Sequence, residues 1–236
     1  MSIIVALDVP RSSEIPKIVE SLPTEIDFYK VGLEIFTAEG PKCLEYLQMN
    51  NKQIFLDLKL HDIPRTVAHA VTSAAKHNVG LLTVHACGGR AMLEAAVEAA
   101  AEFGDKAPKL LAITTLTSLD QSDLTDLGIQ RSVAEHTAAM GKLAINCGMD
   151  GLVCSALEVG EFRRTLGPKP ILVTPGIRPS GGSVGDQKRV ATPSSAIKDG
   201  ASYLVIGRPI VQADNPYEAA KAILEEVNRA IKNAEC

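Results

Sequence analysis

Eight short aliphatic runs recur along the 236-residue chain, at residues 3–7, 28–31, 54–59, 81–84, 110–114, 151–154, 171–174 and 203–206. The stretches between them carry helical spacing, as in Ile15, Ile18, Val19 and Leu22, or Val133, Thr137, Met140, Ala144 and Cys147. Strands that are apolar throughout, without polar alternation, belong to parallel sheets covered by helices on their faces. Eight such strands alternating with helices, in a chain near the ~250 residues usual for the fold, predict a (β/α)8 TIM barrel. Nothing between residues 1 and 236 reads as a linker or a low-complexity tract, so a single domain is expected. A doubly wound open sheet would normally place a Gly-x-Gly-x-x-Gly turn after its first strand. This chain has Asp8-Val9-Pro10-Arg11 there, which favours the barrel.

Local signals add detail. The segment with Cys43, Leu44 and Leu47 reads as one helix, and residues 115–128 as a polar connection. Asp62, just ahead of Pro64, stands where a helix N-cap could be. Asn215, Pro216 and Glu218 open the last helix as cap, first-turn proline and capping-box partner.

Composition narrows the classes of function. A net charge of −4 and a pI near 5.8 give no reason to expect nucleic acid or an anionic membrane as partner. The five cysteines are odd in number and scattered, with no Cys-x-x-Cys, which argues against a zinc site or a redox pair. Buried reduced thiols in an intracellular protein are the expectation. Residues 1–8 lack a basic leader, and no apolar run reaches membrane-spanning length, so the expected location is cytoplasmic.

In a barrel of this kind the chemistry gathers at the C-terminal ends of the strands. Those ends offer Asp8, Lys30, Asp57 with Lys59, His85, Thr117 with Ser118, Ser155, Arg178 and Arg208. Asp57 and Lys59 share one face of a strand whose other face is Leu56, Leu58 and Leu60, because side chains alternate with a period of two. Opposite charges near the end of a buried strand are either a satisfied ion pair or part of a site. The Gly-rich segment 175–187 after the seventh strand and Gly207-Arg208-Pro209 after the eighth occupy positions where barrels often bind phosphate. Arg178 and Arg208 there could grip it in bidentate fashion. His61, His69, His77 and His85 recur every eight residues, a spacing of about 12 Å along a helix and too long for two imidazoles to share an ion. His85 is read as a hydrogen-bonded structural residue, and Ser155 lacks the Gly-x-Ser-x-Gly context of a nucleophile.

Together Lys30-Val-Gly, Asp57-x-Lys59-x-x-Asp62-Ile-Pro, Pro175-Gly-Ile-Arg178-Pro and Val205-Ile-Gly207-Arg208 resemble the orotidine 5'-phosphate decarboxylase family, over essentially the whole chain. The resemblance implies cofactor-free decarboxylation of orotidine 5'-monophosphate to uridine 5'-monophosphate, without a metal, in pyrimidine biosynthesis. It implies Lys59 as proton donor to pyrimidine carbon 6, Asp57 beside the leaving carboxylate, and Lys30 fixing Asp57 and the ribose. Asp62 and Thr66 would enter from the second subunit of a homodimer. Asp8 matches a ribose-binding carboxylate, Thr117 a residue near the base, and Arg178, Gln187, Gly207 and Arg208 the phosphate grip. Two rival readings fit the same residues: a magnesium-dependent 3-keto-gulonate 6-phosphate decarboxylase with the same Asp-x-Lys-x-x-Asp strand, and a catalytically silent phosphate-ligand sensor.

Overall fold

The computed structural model describes residues 2–178 and 191–234. Among them, eight parallel strands close into a barrel in sequence order. They are β1 (Ser2–Ala6), β2 (Phe28–Gly32), β3 (Gln53–Leu60), β4 (Leu81–His85), β5 (Lys109–Ile113), β6 (Gly151–Val153), β7 (Ile171–Thr174) and β8 (Tyr203–Ile206). The helices between them are α1 (Ile15–Glu20), α2 (Leu33–Glu39), α3 (Glu45–Met49), α4 (Pro64–Ala75), α5 (Gly89–Ala101), α6 (Gln121–Asp126), α7 (Val133–Asn146), α8 (Ala156–Leu166) and α9 (Pro193–Lys198). A single turn, α10 (Arg208–Val211), precedes the last helix, α11 (Pro216–Ala234). The expected (β/α)8 TIM barrel is the observed architecture.

Period-two alternation divides the apolar side chains into two cores. Ile4, Ala6, Phe28, Phe55, Leu81, Leu111, Val173 and Val205 point into the barrel and fill it. Their strand neighbours, such as Val5, Tyr29, Leu56, Leu82, Ala112, Leu172 and Leu204, face the helices and join a larger outer core. The inner set forms the floor on which the site rests. At its foot Phe28 and Tyr203 meet edge to face, with ring centroids 5.6 Å apart. Arg163 of α8 ties the bottom of the seventh and eighth strands, donating to the carbonyls of Pro170 at 2.7 Å and Gly200 at 2.8 Å and to Ser202 Oγ at 2.9 Å.

Three local expectations need correction. The segment around Cys43 is not one helix, because Gly40 at φ +61 and Pro41 end α2 and force a 3-10 turn before α3. The polar connection after β5 contains α6, started by a reciprocal capping box between Asp120 and Asp123. Asp62 does not cap α4: Ile63 occupies the N-cap, and Asp62 Oδ1 instead accepts the Ile63 N–H at 2.6 Å. At the last helix the Asn215 side chain does accept the Glu218 N–H, at 3.3 Å.

Gly151 marks the tightest point of the β6–β7 seam. A Cβ there would lie 2.0 Å from the Ile171 carbonyl oxygen, which is backbone and cannot swing away. Gly151→Ala is expected to lower stability by about 1–3 kcal/mol, as overpacking does. A thermal melt reads this as a lowered midpoint, and an unchanged midpoint would contradict it.

Candidate active site

The inward positions of the strands continue upward from the apolar floor into a polar layer. Asp8 follows Ala6, Lys30 follows Phe28, Asp57 follows Phe55 and Thr83 follows Leu81, each two residues on. The result is a row of alternating charges across three adjacent strands. Lys30 Nζ lies 2.8 Å from Asp8 Oδ1 and 3.9 Å from Asp57 Oδ2, and Asp57 Oδ2 lies 2.8 Å from Lys59 Nζ. Asp57 is 8% exposed, so its charge rests on these partners and on the Thr83 hydroxyl, which donates to Oδ1 at 3.0 Å. An unpaired carboxylate so placed would be costly. Lys59 keeps about a third of its side chain open to the mouth.

Gly32 leaves room for this row. A Cβ at that position would lie 3.0 Å from Lys30 Nζ and 3.5 Å from Asp8 Oδ1. The row borders an open cavity lined by Lys30, Asp57, Lys59, Thr115, Thr117 and Pro175, with Phe55, Ile113, Val153 and Val205 beneath. Thr115 is held from outside by a buried bond from the Thr137 hydroxyl at 2.6 Å.

The structure brings together Asp8, Lys30, Asp57 and Lys59 from the sequence expectations, with Thr117 on the same cavity wall. It does not bring Asp62 into that row. Asp62 is exposed, and among the described residues its carboxylate meets only the Ile63 N–H. Thr66 is likewise exposed on the first turn of α4. Lys30 makes its short contact with Asp8 rather than with Asp57. Arg178 follows β7, its backbone N–H bonded to the Ala191 carbonyl at 2.9 Å. Gly207 and Arg208 begin the single turn α10, and Gly207 approaches Asp8 closely enough that a Cβ would stand 3.6 Å from Oδ2. Gln187 lies outside the described residues, as does most of the Gly-rich segment.

Two histidines meet beside Lys59. The rings of His61 and His85 stack at a centroid distance of 5.3 Å, although they are far apart in sequence. His85 Nδ1 accepts the Cys87 N–H at 3.3 Å, which places the proton of the neutral ring on Nε2. Burial lowers the His85 pKa below its ordinary 6.5, and His61 and Lys59 push it the same way. Ser155 has the structural role expected of it, capping α8 in a capping box with Glu158. Thr83 is the site-forming residue that sequence reasoning missed. Its only signal was a polar residue inside the aliphatic run 81–84, on the parity of Leu81.

Comparison with known proteins settles the family. Residues 1–223 match the model of the family described as Orotidine 5'-phosphate decarboxylase / HUMPS. The chain belongs to this family. It is 51% identical over 226 residues to the orotidine 5'-phosphate decarboxylase of Gloeothece citriformis, covering 95% of this chain and 97% of that one. It is 48% identical over 230 residues to that of Pseudoalteromonas translucida, covering 98% and 97%. The crystal structure of orotidine 5'-phosphate decarboxylase from Lactobacillus acidophilus superposes with a TM-score of 0.86 at 38% identity, over 96% of this chain and 99% of that one.

Buried His85 gives this member of the decarboxylase family a pH signature. The unfolded chain binds a proton at 6.5 while folded His85 resists it, so its contribution to stability is present above 6.5 and declines as pH falls below that value. His136, also lowered by burial, has the same sign. Melting midpoints should fall between about pH 7.5 and pH 5.5, and His85→Asn should reduce the slope while leaving the His136 part. Equal slopes for the two proteins would contradict the assignment.

Proposed function

We propose that this chain decarboxylates orotidine 5'-monophosphate to uridine 5'-monophosphate, the last step of de novo pyrimidine biosynthesis. The observation that carries this reading is the Asp8–Lys30–Asp57–Lys59 row at the barrel mouth, in a chain whose relatives at 45–51% identity are orotidine 5'-phosphate decarboxylases. Loss of carbon dioxide leaves a carbanion at pyrimidine carbon 6 that the ring cannot delocalise onto a conjugated oxygen. An ammonium held beside that carbon stabilises the developing charge and then supplies the proton, with no reorganisation needed at the moment of reaction. Lys59 fills this role: its nitrogen is anchored by Asp57 at 2.8 Å and faces the open cavity.

Asp57 flanks the leaving carboxylate and Lys30 links it to Asp8, the ribose carboxylate. Thr117 lies near the base. Arg178, Gln187, Gly207 and Arg208 take the phosphate, whose binding energy can orient a ring far from it. No organic cofactor or metal takes part in this scheme. Lys30, placed between Asp8 and Asp57, disfavours a divalent ion at the position where a sugar-phosphate decarboxylase would use magnesium. Turnover of orotidine monophosphate that survives a chelator separates the two chemistries. Binding without turnover would instead support the silent sensor.

The active form is a homodimer in which Asp62 and Thr66 complete the partner's site. Supporting this, Asp62 is exposed with its carboxylate on the Ile63 N–H, and Ile63 beside it is 67% exposed. Four described cysteines carry no disulfide, which fits a cytoplasmic setting, and no described helix is long and apolar enough to cross a membrane.

The ultraviolet assay of orotidine monophosphate loss is the direct test. Lys59→Ala should reduce turnover to background while binding of uridine monophosphate changes by no more than about threefold, because it removes an interaction made in the transition state. Near-normal turnover would refute the proton-donor role. Mixing inactive Lys59→Ala chains with inactive Asp62→Ala chains should restore part of the activity, since every mixed dimer holds one intact site and one doubly defective site. No recovery in verified mixed dimers would refute the shared site.

A further inference from the structure

At the catalytic lysine the ladder between β3 and β4 loses its regular register. Leu56 pairs with Leu82 and Leu60 pairs with Val84, so Asp57, Leu58 and Lys59 on one strand face the single residue Thr83 on the other. An irregularity of this type bends a strand and re-aims a side chain. Its cost is visible at Lys59, whose φ is +51. A residue with a Cβ pays about 1–2 kcal/mol for the left-handed region and stays there only if its surroundings hold it.

Thr83 is what holds it. Its side chain is fully buried, and its hydroxyl is used in both directions. The oxygen accepts the backbone N–H of Lys59 at 2.8 Å, and the proton is given to Asp57 Oδ1 at 3.0 Å. Asp57 Oδ2 in turn accepts from Lys59 Nζ at 2.8 Å. The four groups close a ring that fixes Lys59 at both ends, at its backbone through Thr83 and at its ammonium through Asp57. At Leu60 the pairing resumes, and His61, just past the end of β3, stacks its ring on that of His85 at the end of β4.

We propose that Thr83 is a positioning residue for the decarboxylation, acting through the backbone of Lys59 and the carboxylate of Asp57 without touching substrate. The assignment rests on the proposed function for its kinetic consequence but not for its geometry. Thr83→Val keeps the shape and removes the hydroxyl. It should lower kcat about 10- to 100-fold, the scale of a misplacement of about 1 Å, and leave KM within about threefold, since phosphate and ribose contacts lie elsewhere. Thr83→Ser should recover kcat to within about threefold of the wild type, because the hydroxyl is restored.

If the valine variant does not fold, Thr83→Ser against Thr83→Ala gives the same comparison, as those two differ only in the hydroxyl. Amide hydrogen exchange at Lys59 is read alongside: slow in the wild type and the serine variant, fast in the valine or alanine variant. A hydroxyl-free variant with normal kcat, a loss confined to KM, or a serine variant as impaired as the valine would each overturn the proposal. A wild-type protein that turns over no orotidine monophosphate would refute the proposed function instead. The Lys59 exchange rates would then still decide whether Thr83 holds the lysine.

Discussion

The Asp57 carboxylate is the group on which the site depends. It is nearly buried, and its two oxygens accept from Thr83 and Lys59, with Lys30 at 3.9 Å. A charge in that position depends on its partners, since removing one leaves a nearly buried ion poorly compensated. Lys30 then extends the coupling to Asp8, so residues from three strands are bound into one electrostatic unit. The unit stands on the apolar floor of Phe55, Ile4 and Phe28, which keeps its charges at the mouth. Electrostatic catalysis requires charges that do not relax when the reaction proceeds, and a closed barrel supplies that rigidity.

The same arrangement explains where strain is stored. Lys59 occupies a backbone conformation that lysine rarely adopts, at the point where β3 departs from register with β4. A regular strand would have continued the alternation of Phe55 and Asp57 and directed the next inward side chain along the ladder. The departure turns the lysine onto Asp57, and partly buried hydrogen bonds offset its cost. Backbone strain that the surroundings hold in place recurs at the active sites of enzymes.

Asp62 illustrates how a motif can be legible while its geometry is not. The spacing Asp57-x-Lys59-x-x-Asp62 places three charges close in sequence, but a strand continued to Asp62 would turn it to the face opposite Asp57 and Lys59. The chain instead leaves the sheet after Leu60, and Ile63 rather than Asp62 begins α4. Asp62 is thereby left exposed, its carboxylate on the Ile63 N–H. His61 and His85 show the converse, two residues with no helical relation whose rings stack where the neighbouring strands β3 and β4 end.

The order of elements was readable because burial is periodic. A parallel strand covered on both sides must be aliphatic throughout, and a covering helix must repeat its apolar positions every three to four residues. Those rules recovered the eight strands and the placement of Asp8, Lys30, Asp57 and Lys59 at their ends, and family resemblance supplied a chemistry for them. They did not recover α6, where a capping box outweighs a polar composition, or the break at Gly40-Pro41. Nor could they find Thr83, the register shift opposite it, or the direction of Asp62. Register and side-chain direction depend on which strand lies alongside and on the sum of contacts across the seam. That information is absent from any one stretch of sequence and exists only once the barrel has closed.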